Sequence, residues 1–493
     1  MVKTCDTVMI VDFGMSKVRA LLIDVGNGSI LKQAFSSNTW HYPGSGRVEI
    51  DPEDIWHASQ RVVSELLEGL DPKVSILGCS FSFFGDHVIP VDEEGKAVYP
   101  LLPALDSRAT EEVRWLSEKI GEESFIDITG GVLSPRCVGS KILWFKNNLR
   151  DVFDRARHFF DIQQYILVKL GMPAVEDFSM ASRKMLFDVS RRVWSESLLS
   201  TIGIKGDQLG EGVIESRSVM GRIGRYGDVI LPYEIPVVLG GHDSECGLVG
   251  LGIHCIEDNM LAEIMGTFDC IGVFTNHFIN TCKIAPTLYA YCGLGREDFV
   301  VKSGFPAAGS LLEWFTSNLY RKTGEGVFDE LFDSVQFDGT AQLFTLPRFE
   351  LAEGCIIGFD LSKGLQDIFR SNVEAISFEF RTAVEEFNRI FDNRFDRIRV
   401  GGGGSQSQKW LQLKADIAGK AVEKVGNIEV SALGAAMIAA IALGVYRGFP
   451  EAISHTVDID HTFLPNEEIS NRYSKRFDTY KRLKAVLKEA LVS

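Results

Sequence analysis

The chain has 493 residues, 45% hydrophobic and 24% charged, the proportions of a soluble globular protein, and its length suits about two to four domains with cores of their own. Lys and Arg number 51 against 67 Asp and Glu, a net charge of −16, and such a field opposes a phosphate backbone or an anionic bilayer. No nucleic-acid partner and no membrane partner are therefore expected. An anionic small molecule would need local neutralisation by backbone N–H groups and a metal. The nine cysteines are scattered, odd in number and without a C-x-x-C pair, which reads as reduced thiols in a cytoplasmic protein rather than a disulfide framework.

The N-terminus, MVKTCDTVMIVDFG, lacks a basic region, an apolar run and a small-residue cleavage site, and reads as a strand entering a turn. Val8 to Val11 is an apolar run that breaks at Asp12-Phe13-Gly14. Val18 to Ile23 resumes as a second strand and ends at the turn Asp24 to Gly28. A similar layout recurs later: Met260 to Met265, then Gly266-Thr267-Phe268-Asp269, then Ile271 to Phe274. Two strand–turn–strand units, one per half, suggest a duplicated α/β architecture with a ligand between the halves. Gly247, Gly250 and Gly252 punctuate a segment near 245–257, which places the domain boundary there: 1–250 and 251–493. The Ala-rich stretch Ala432 to Val445 is shorter than the ~20 residues a bilayer needs and reads as a buried helix. The tail from Asn466 reads as a charged amphipathic helix along the second domain.

Three turns have the residue types of a reactive site. In the first, Asp12 to Arg19, glycine allows close approach to a phosphate, and successive turn N–H groups form an anion-binding concavity. Asp12 suits Mg²⁺, which takes oxygen ligands, while the plain alternative is an ordinary hairpin with a capping aspartate. Lys17 either contacts phosphate or is simply solvated. The second, Pro236 to Glu245, delivers His242 and Asp243 past two glycines to a helix beginning near Cys246. Asp243 there can take a proton from a hydroxyl, or can merely be the helix cap. No second histidine lies at ligand spacing, so His242 reads as an orienting or packed residue. The third has four glycines, Gly401 to Gly404, and Ser405 between a strand at Ile398 to Val400 and a helix over Ser407 to Gly419. That suits a nucleotide at a helix N-terminus. A dinucleotide site is the rival, with Glu423 and Glu429 near the required distance, and no G-x-x-x-x-G-K-[ST] loop is present.

At this point the sequence resembles the FGGY carbohydrate kinases of the actin/hexokinase ATPase superfamily. Asp12-x-Gly14 to Asp24 resembles the first phosphate loop. Asp51-Pro-Glu-Asp-Ile-Trp56 is similar to the D-P-E-D-x-W segment, and Asp106-Ser-Arg108-Ala to the D-x-R-A motif. Lys141 to Asn148 fits the first family signature, from which Val138 departs. Gly240-Gly-His-Asp243 resembles the segment of the catalytic aspartate, and Gly266-Thr267 the second phosphate loop. Gly354 to Gly358 with Asp367 to Glu374 resembles the second signature. The glycine run with Ser405, Trp410, Gln412, Asp416 and Gly419, then Leu433 to Ala436, resembles the adenosine-binding segment and its following helix. The order of these elements, across nearly the whole chain, is what makes the resemblance specific.

The resemblance implies two ribonuclease-H-like domains with a cleft between them, the sugar held mainly by the first and ATP with Mg²⁺ mainly by the second. It implies phosphoryl transfer to a small sugar or polyol, with Asp243 as general base and domain closure that excludes water. Asp12 would orient Mg²⁺, with Asp243 near the ion as well. Gly14, Ser16 and Lys17 would line one phosphate loop and Gly266 and Thr267 the other. Gly403, Gly404 and Ser405 would face the α-phosphate and adenosine, with Gln408 near the ribose or base. Family members are often dimers, so a homodimer is an expectation of the same kind.

Departures bear on the acceptor. Met15 and Lys17 stand where the family often has Thr and Ser or Thr. Phe84-Gly85-Asp86 replaces the Gln-Met-His of xylulose-type members. Counted back from Asp92, Asp86 falls where glycerol-type members carry an acid that accepts sugar hydroxyls, and a shift of one residue would put His87 there. Phe84 is a candidate wall of the sugar pocket, whereas Phe81 and Phe83 read as alternate core side chains. Gly266-Thr-Phe-Asp269 and Gly-His-Asp are closer to fuculose-type kinases. The leading expectation is therefore a kinase of a five- or six-carbon ketose. The alternatives are a kinase of a shorter polyol or unusual carbohydrate, and a non-catalytic actin-like ATP-binding protein. An NAD-dependent dehydrogenase would leave every motif but the glycine run unexplained.

Overall fold

In the computed structural model the described residues are 5–285, 287–305, 308–324, 326–348 and 353–492. The chain forms two compact α/β units. The first comprises Met1–Cys255, Phe274–Val301 and Val430–Val457, and the second Ile256–Val273, Lys302–Glu429 and Asp458–Ser493. The expected cut between 250 and 251 falls close to the first break, but a single cut does not describe the units. Two later segments pack with the first because their apolar faces are buried there. No helix among the described residues is long and apolar enough to cross a membrane.

The first unit is built on strands β1 (Cys5–Phe13), β2 (Lys17–Asp24), β3 (Ile30–Ser37), β4 (Val74–Phe83), β5 (Val219–Tyr226) and β6 (Val229–Val238), in the sheet order β5-β6-β4-β1-β2-β3. The apolar runs form the centre, where β1 pairs antiparallel with β2 and parallel with β4. Every residue of β1 from Thr7 to Phe13 is buried, whereas β3 alternates half-buried and exposed side chains as an edge strand with one wet face does. Phe13 stacks on Phe83 at 5.2 Å and lies 6.3 Å from Phe81, so Phe81 and Phe83 are core residues. The helix Pro52–Leu67 starts where the sequence signals it: Asp51 accepts the Glu53 N–H at 2.9 Å and proline occupies the first turn.

The helix Val430–Ala442 lies against the helix Asp243–Gly250 in this same unit. The two backbones meet at glycines. A Cβ on Gly434 would stand 1.8 Å from the Cys246 carbonyl oxygen, and one on Gly250 1.9 Å from that of Val430. No larger residue fits either position without moving a helix.

In the second unit, β7 (Met260–Met265), β8 (Asp269–Thr275), β9 (Arg397–Gly401), β10 (Ala421–Val425) and β11 (Ile459–Phe463) follow one another in the sheet order β8-β7-β9-β10-β11. β7 and β9 are parallel, and the turns at the ends of β7 and β9 are the two expected nucleotide loops. The helix Glu467–Val492 packs on this unit through Tyr473 and Arg476, both bonded to buried Glu374 at 2.9 and 2.5 Å.

Gly434→Ala is expected to cost about 3 kcal/mol or more, since the methyl group forces two backbones apart. Gly403→Ala, which adds its methyl in open space, is expected to stay within about 0.5 kcal/mol of wild type. Urea denaturation of both variants checks the pair.

Candidate active site

β4 ends at Phe83 and the chain turns through Phe84, Gly85, Asp86 and His87. Asp86 adopts a left-handed φ of 60°, uncommon for a residue with a Cβ. The turn is held from beneath by the fully buried Lys141, whose Nζ donates to the carbonyl oxygens of Asp86, Pro103 and Arg136 at 2.9, 2.7 and 3.1 Å. Burial lowers Lys141 to about 7, partly opposed by Asp86 and Asp106. The Asp86 carboxylate is itself buried. Its Oδ2 accepts from Arg136 Nη2 at 2.8 Å and from Arg183 Nη2 at 2.7 Å. Burial alone would raise this carboxyl, but Arg183 and Arg136, with His242 and Lys141, hold it well below the usual carboxylate range. The Arg183 guanidinium lies over the Tyr291 ring, 4.4 Å from its centroid.

His87, the other candidate, occupies a different environment. It is 1% exposed, its Nε2 accepts the Ile162 N–H at 2.8 Å, and its ring centroid is 4.4 Å from that of Phe84. Burial pushes it down to about 4, so it is a neutral packing residue. Phe84 is likewise buried, so His87 and Phe84 form a layer within the fold and Asp86 is the charged group of this turn.

Asp243 opens the helix Asp243–Gly250, and here the sequence alternative of an aspartate cap is corrected. The cap is His242, whose Nδ1 accepts the Ser244 N–H at 3.2 Å. Asp243, one residue into the helix, is thereby left for other work, its side chain 35% exposed and Oδ1 3.0 Å from His242 Nδ1. Buried Glu245 reaches the same nitrogen at 2.9 Å and accepts the Ser244 hydroxyl at 2.7 Å. The His242 ring lies so near Gly85 that a Cβ there would come within 2.5 Å of Nε2. The His242 N–H donates to Ser179 Oγ at 2.9 Å, and Ser179 is held by Asp177, the N-cap of the helix Phe178–Arg183. One short helix thus supports the His242 backbone at its start and carries Arg183 to Asp86 at its end. Asp177 is raised to about 6 by burial, opposed by its bonds from Ser179 and Gln163.

The Asp12–Arg19 turn is the expected hairpin, closed by the Gly14 N–H on the Lys17 carbonyl at 3.0 Å. Asp12 is 3% exposed and Oδ2 accepts from Arg19 Nη1 at 2.8 Å. Asn38 ties the loop down by donating to the Gly14 and Met15 carbonyls at 3.0 and 2.9 Å, while its N–H bonds Ser16 O at 3.0 Å. Lys17 is exposed, with Nζ 5.0 Å from the Phe35 ring centroid.

In the second unit, the Gly266 N–H is held by Asp269 Oδ1 at 3.0 Å, and the Gly266 and Thr267 carbonyls accept from the Gly309 and Ser310 N–H groups at 3.2 and 3.1 Å. Gly402 has φ 92° and passes so near Met265 that a Cβ would lie 2.5 Å from its carbonyl oxygen. Gly403 and Gln408 are exposed. Ser405 is buried and donates its hydroxyl to Gly402 O at 2.7 Å, so it braces the glycine turn from inside. Nothing in the sequence pointed to Lys414. This fully buried cation pairs with Glu263 and lies 3.6 Å from Asp269, beneath the Gly266 turn. Burial raises both acids, Asp269 to about 7, against the pull of Lys414.

Residues 7–250 match the model of the FGGY family of carbohydrate kinases, N-terminal domain, and residues 261–443 that of its C-terminal domain. The glycerol kinase of Natranaerobius thermophilus is 26% identical over 95% of this chain and 96% of that protein. Among solved structures, a ligand-bound xylulose kinase from Lactobacillus acidophilus superposes with a TM-score of 0.87 at 20% identity, covering 98% of both chains. A gluconate kinase from the same organism gives 0.86 at 20% identity over 98% of both.

His87 provides a pH test of the site's scaffold. Its value in the folded protein, about 4, lies below its ordinary 6.5, so folding favours the neutral ring. The resulting stabilisation is complete above pH 6.5 and is lost as pH falls toward 4, on the order of 3 kcal/mol in all. Thermal melts between pH 4 and pH 7 are expected to show a steeper acid-side loss for wild type than for His87→Gln; parallel curves would count against a neutral buried ring.

Proposed function

The chain belongs to the FGGY family of carbohydrate kinases, and from that premise we propose that it transfers the γ-phosphate of ATP to a hydroxyl of a small sugar or polyol, with Asp243 as general base. The observation that carries this reading is Asp243 itself: a part-exposed carboxylate in the first turn of a helix, its Oδ1 3.0 Å from His242 Nδ1 and not spent on capping. A carboxylate held this way accepts the proton of an attacking hydroxyl, while positioning and charge neutralisation supply most of the rate in phosphoryl transfer. Asp86, in the same unit, is the acceptor for substrate hydroxyls, aimed by Arg136 and Arg183. The ketose expectation rests on the Gly266-Thr-Phe-Asp269 and Gly-His-Asp segments. A shorter polyol is the second reading, supported by the acid at Asp86 and by relatives that bear the name glycerol kinase.

ATP is the donor in this reading. In the Gly266 turn and the Gly401 to Gly404 run the glycines themselves put no side chain between the backbone and a ligand, which suits phosphate. Gly403 and Gln408 are exposed for contact with the nucleotide, and Ser405 acts through the shape of the turn. The donor chemistry of Asp12 and Asp243 suits Mg²⁺, a hard cation that takes carboxylate oxygens and retains water. Bound there, the ion would neutralise phosphate charge. The reading carries with it a protein working in the cytoplasm.

Asp243→Ala is expected to lower kcat by on the order of 10³-fold while ATP binding by calorimetry persists. Full turnover in that variant would remove Asp243 from the reaction. Asp86→Ala is expected to raise the acceptor KM with the ATP KM unchanged, measured by coupled ADP release over a panel of ketoses, aldoses and polyols.

A further inference from the structure

The Asp86 end of the acceptor site carries more positive charge than its one carboxylate needs. Two guanidinium groups, Arg136 and Arg183, converge on a single oxygen, Asp86 Oδ2, at 2.8 and 2.7 Å. Lys141 Nζ, lowered by burial to about 7, lies directly behind, bonded to the Asp86 carbonyl and to no acid among the described residues, so the excess rests on the two arginines. The nearby acids of the same unit are otherwise engaged: Asp243 and Glu245 flank His242, and Asp177 holds Ser179, Gln163 and Ser216. In a chain with a net charge of −16, such a local excess of cations is a built feature.

Arg136 is the open member of the group. Its side chain is 53% exposed, against 10% for Arg183, and among the described residues its guanidinium has the single partner Asp86. A guanidinium has five N–H donors in a planar fork, so most of those on Arg136 face away from Asp86 and are available to a ligand. A neutral hydroxyl chain can accept hydrogen bonds from this fork but cannot neutralise it. A carboxylate does both, and takes the fork in bidentate fashion. Asp86 then has two tasks: it fixes the planes of both arginines, and it offers its remaining oxygen to a hydroxyl beside the bound carboxylate.

We propose that the acceptor is a small sugar acid, an open polyhydroxy chain whose terminal carboxylate is recognised by Arg136 beside the Asp86–Arg183 pair. The proposal rests on the reading of this unit as the acceptor site of a kinase. It narrows the acceptor from sugars and polyols at large to their carboxylate-bearing members, and it makes Arg136 the residue that sets this preference.

The test is a coupled ADP-release assay on the full chain with matched acceptors of equal length and configuration, each an aldonate paired with its alditol and with the corresponding ketose. The expected result is that kcat/KM for the best aldonate exceeds that of its neutral partners by on the order of 10-fold or more. Arg136→Gln raises the KM for the acid by a similar factor and brings the acid-to-alditol ratio near one. Arg136→Lys, which keeps the charge and loses the fork, falls between. The ATP KM stays within about two-fold in both variants. A preferred neutral acceptor overturns the proposal, as does a ratio that Arg136→Gln leaves unchanged. If ATP binds but no acceptor of any pair is phosphorylated, the kinase reading fails separately. Calorimetric titration of the same aldonates into wild type and Arg136→Gln then decides the binding claim: tighter binding to wild type sustains it, and equal or absent binding overturns it.

Discussion

A buried carboxylate has to be met by cations, and in the first unit that constraint is concentrated at Asp86. Its side chain draws Arg136 from one segment and Arg183 from another, while its carbonyl accepts from Lys141. The left-handed backbone at Asp86 is uncommon and persists because these contacts over-determine it. The helix Phe178–Arg183 then transmits the arrangement, since the element that carries Arg183 also supports, through Ser179, the backbone of His242 beside Asp243. Removing the Asp86 carboxylate would take away the charge on which the Arg136 and Arg183 guanidinium groups converge, a larger loss than any single hydrogen bond represents.

The second unit meets the opposite problem with the opposite charge. Two buried acids, Glu263 and Asp269, share one buried ammonium, Lys414, and Asp269 spends its other oxygen on the Gly266 N–H. The turn read as a phosphate loop is therefore anchored by an ion cluster below it rather than by the residues that line it. Phe380 and Trp410 lie against the same ammonium, at 4.6 and 5.4 Å from their ring centroids, which accounts for a lysine surviving in so apolar a helix face.

Local chemistry was legible in the sequence. Strands β1, β2 and β7, the glycine turn, and the helix over Gln408–Ala418 with Ser407 at its start all follow from runs and turns a few residues long. The family's motifs in order then led to Asp243 and Asp86. Arg136, Arg183, Lys141 and Lys414 were not legible as site residues, because a charged side chain looks the same in sequence whether it is solvated or buried. Their roles come from partners between 38 and 151 residues away, except where Arg136 O meets Lys141, or from burial that no local pattern encodes. His242 as cap was missed for a related reason: aspartate is the better capping residue by preference, and only the ring's packing against Gly85 reverses the order. Segment exchange between the units was illegible too, since a single boundary in sequence says nothing of segments that return.

That return has a consequence for how the protein is made. The helix bearing Asp243 is closed on one side by Val430–Ala442, through a glycine contact with no room for error, and a Cβ on Gly28 would stand 2.6 Å from the Thr456 carbonyl oxygen. During synthesis the ribosome must deliver the whole of Ile256–Glu429 before the segment that completes the first unit emerges. Until then the N-terminal sheet exists without one of its covering helices, its apolar residues open to chaperones and to neighbouring chains. A chain cut short between Val301 and Val430 would retain every residue of the proposed acceptor site and still lack the helix that packs against the one bearing Asp243.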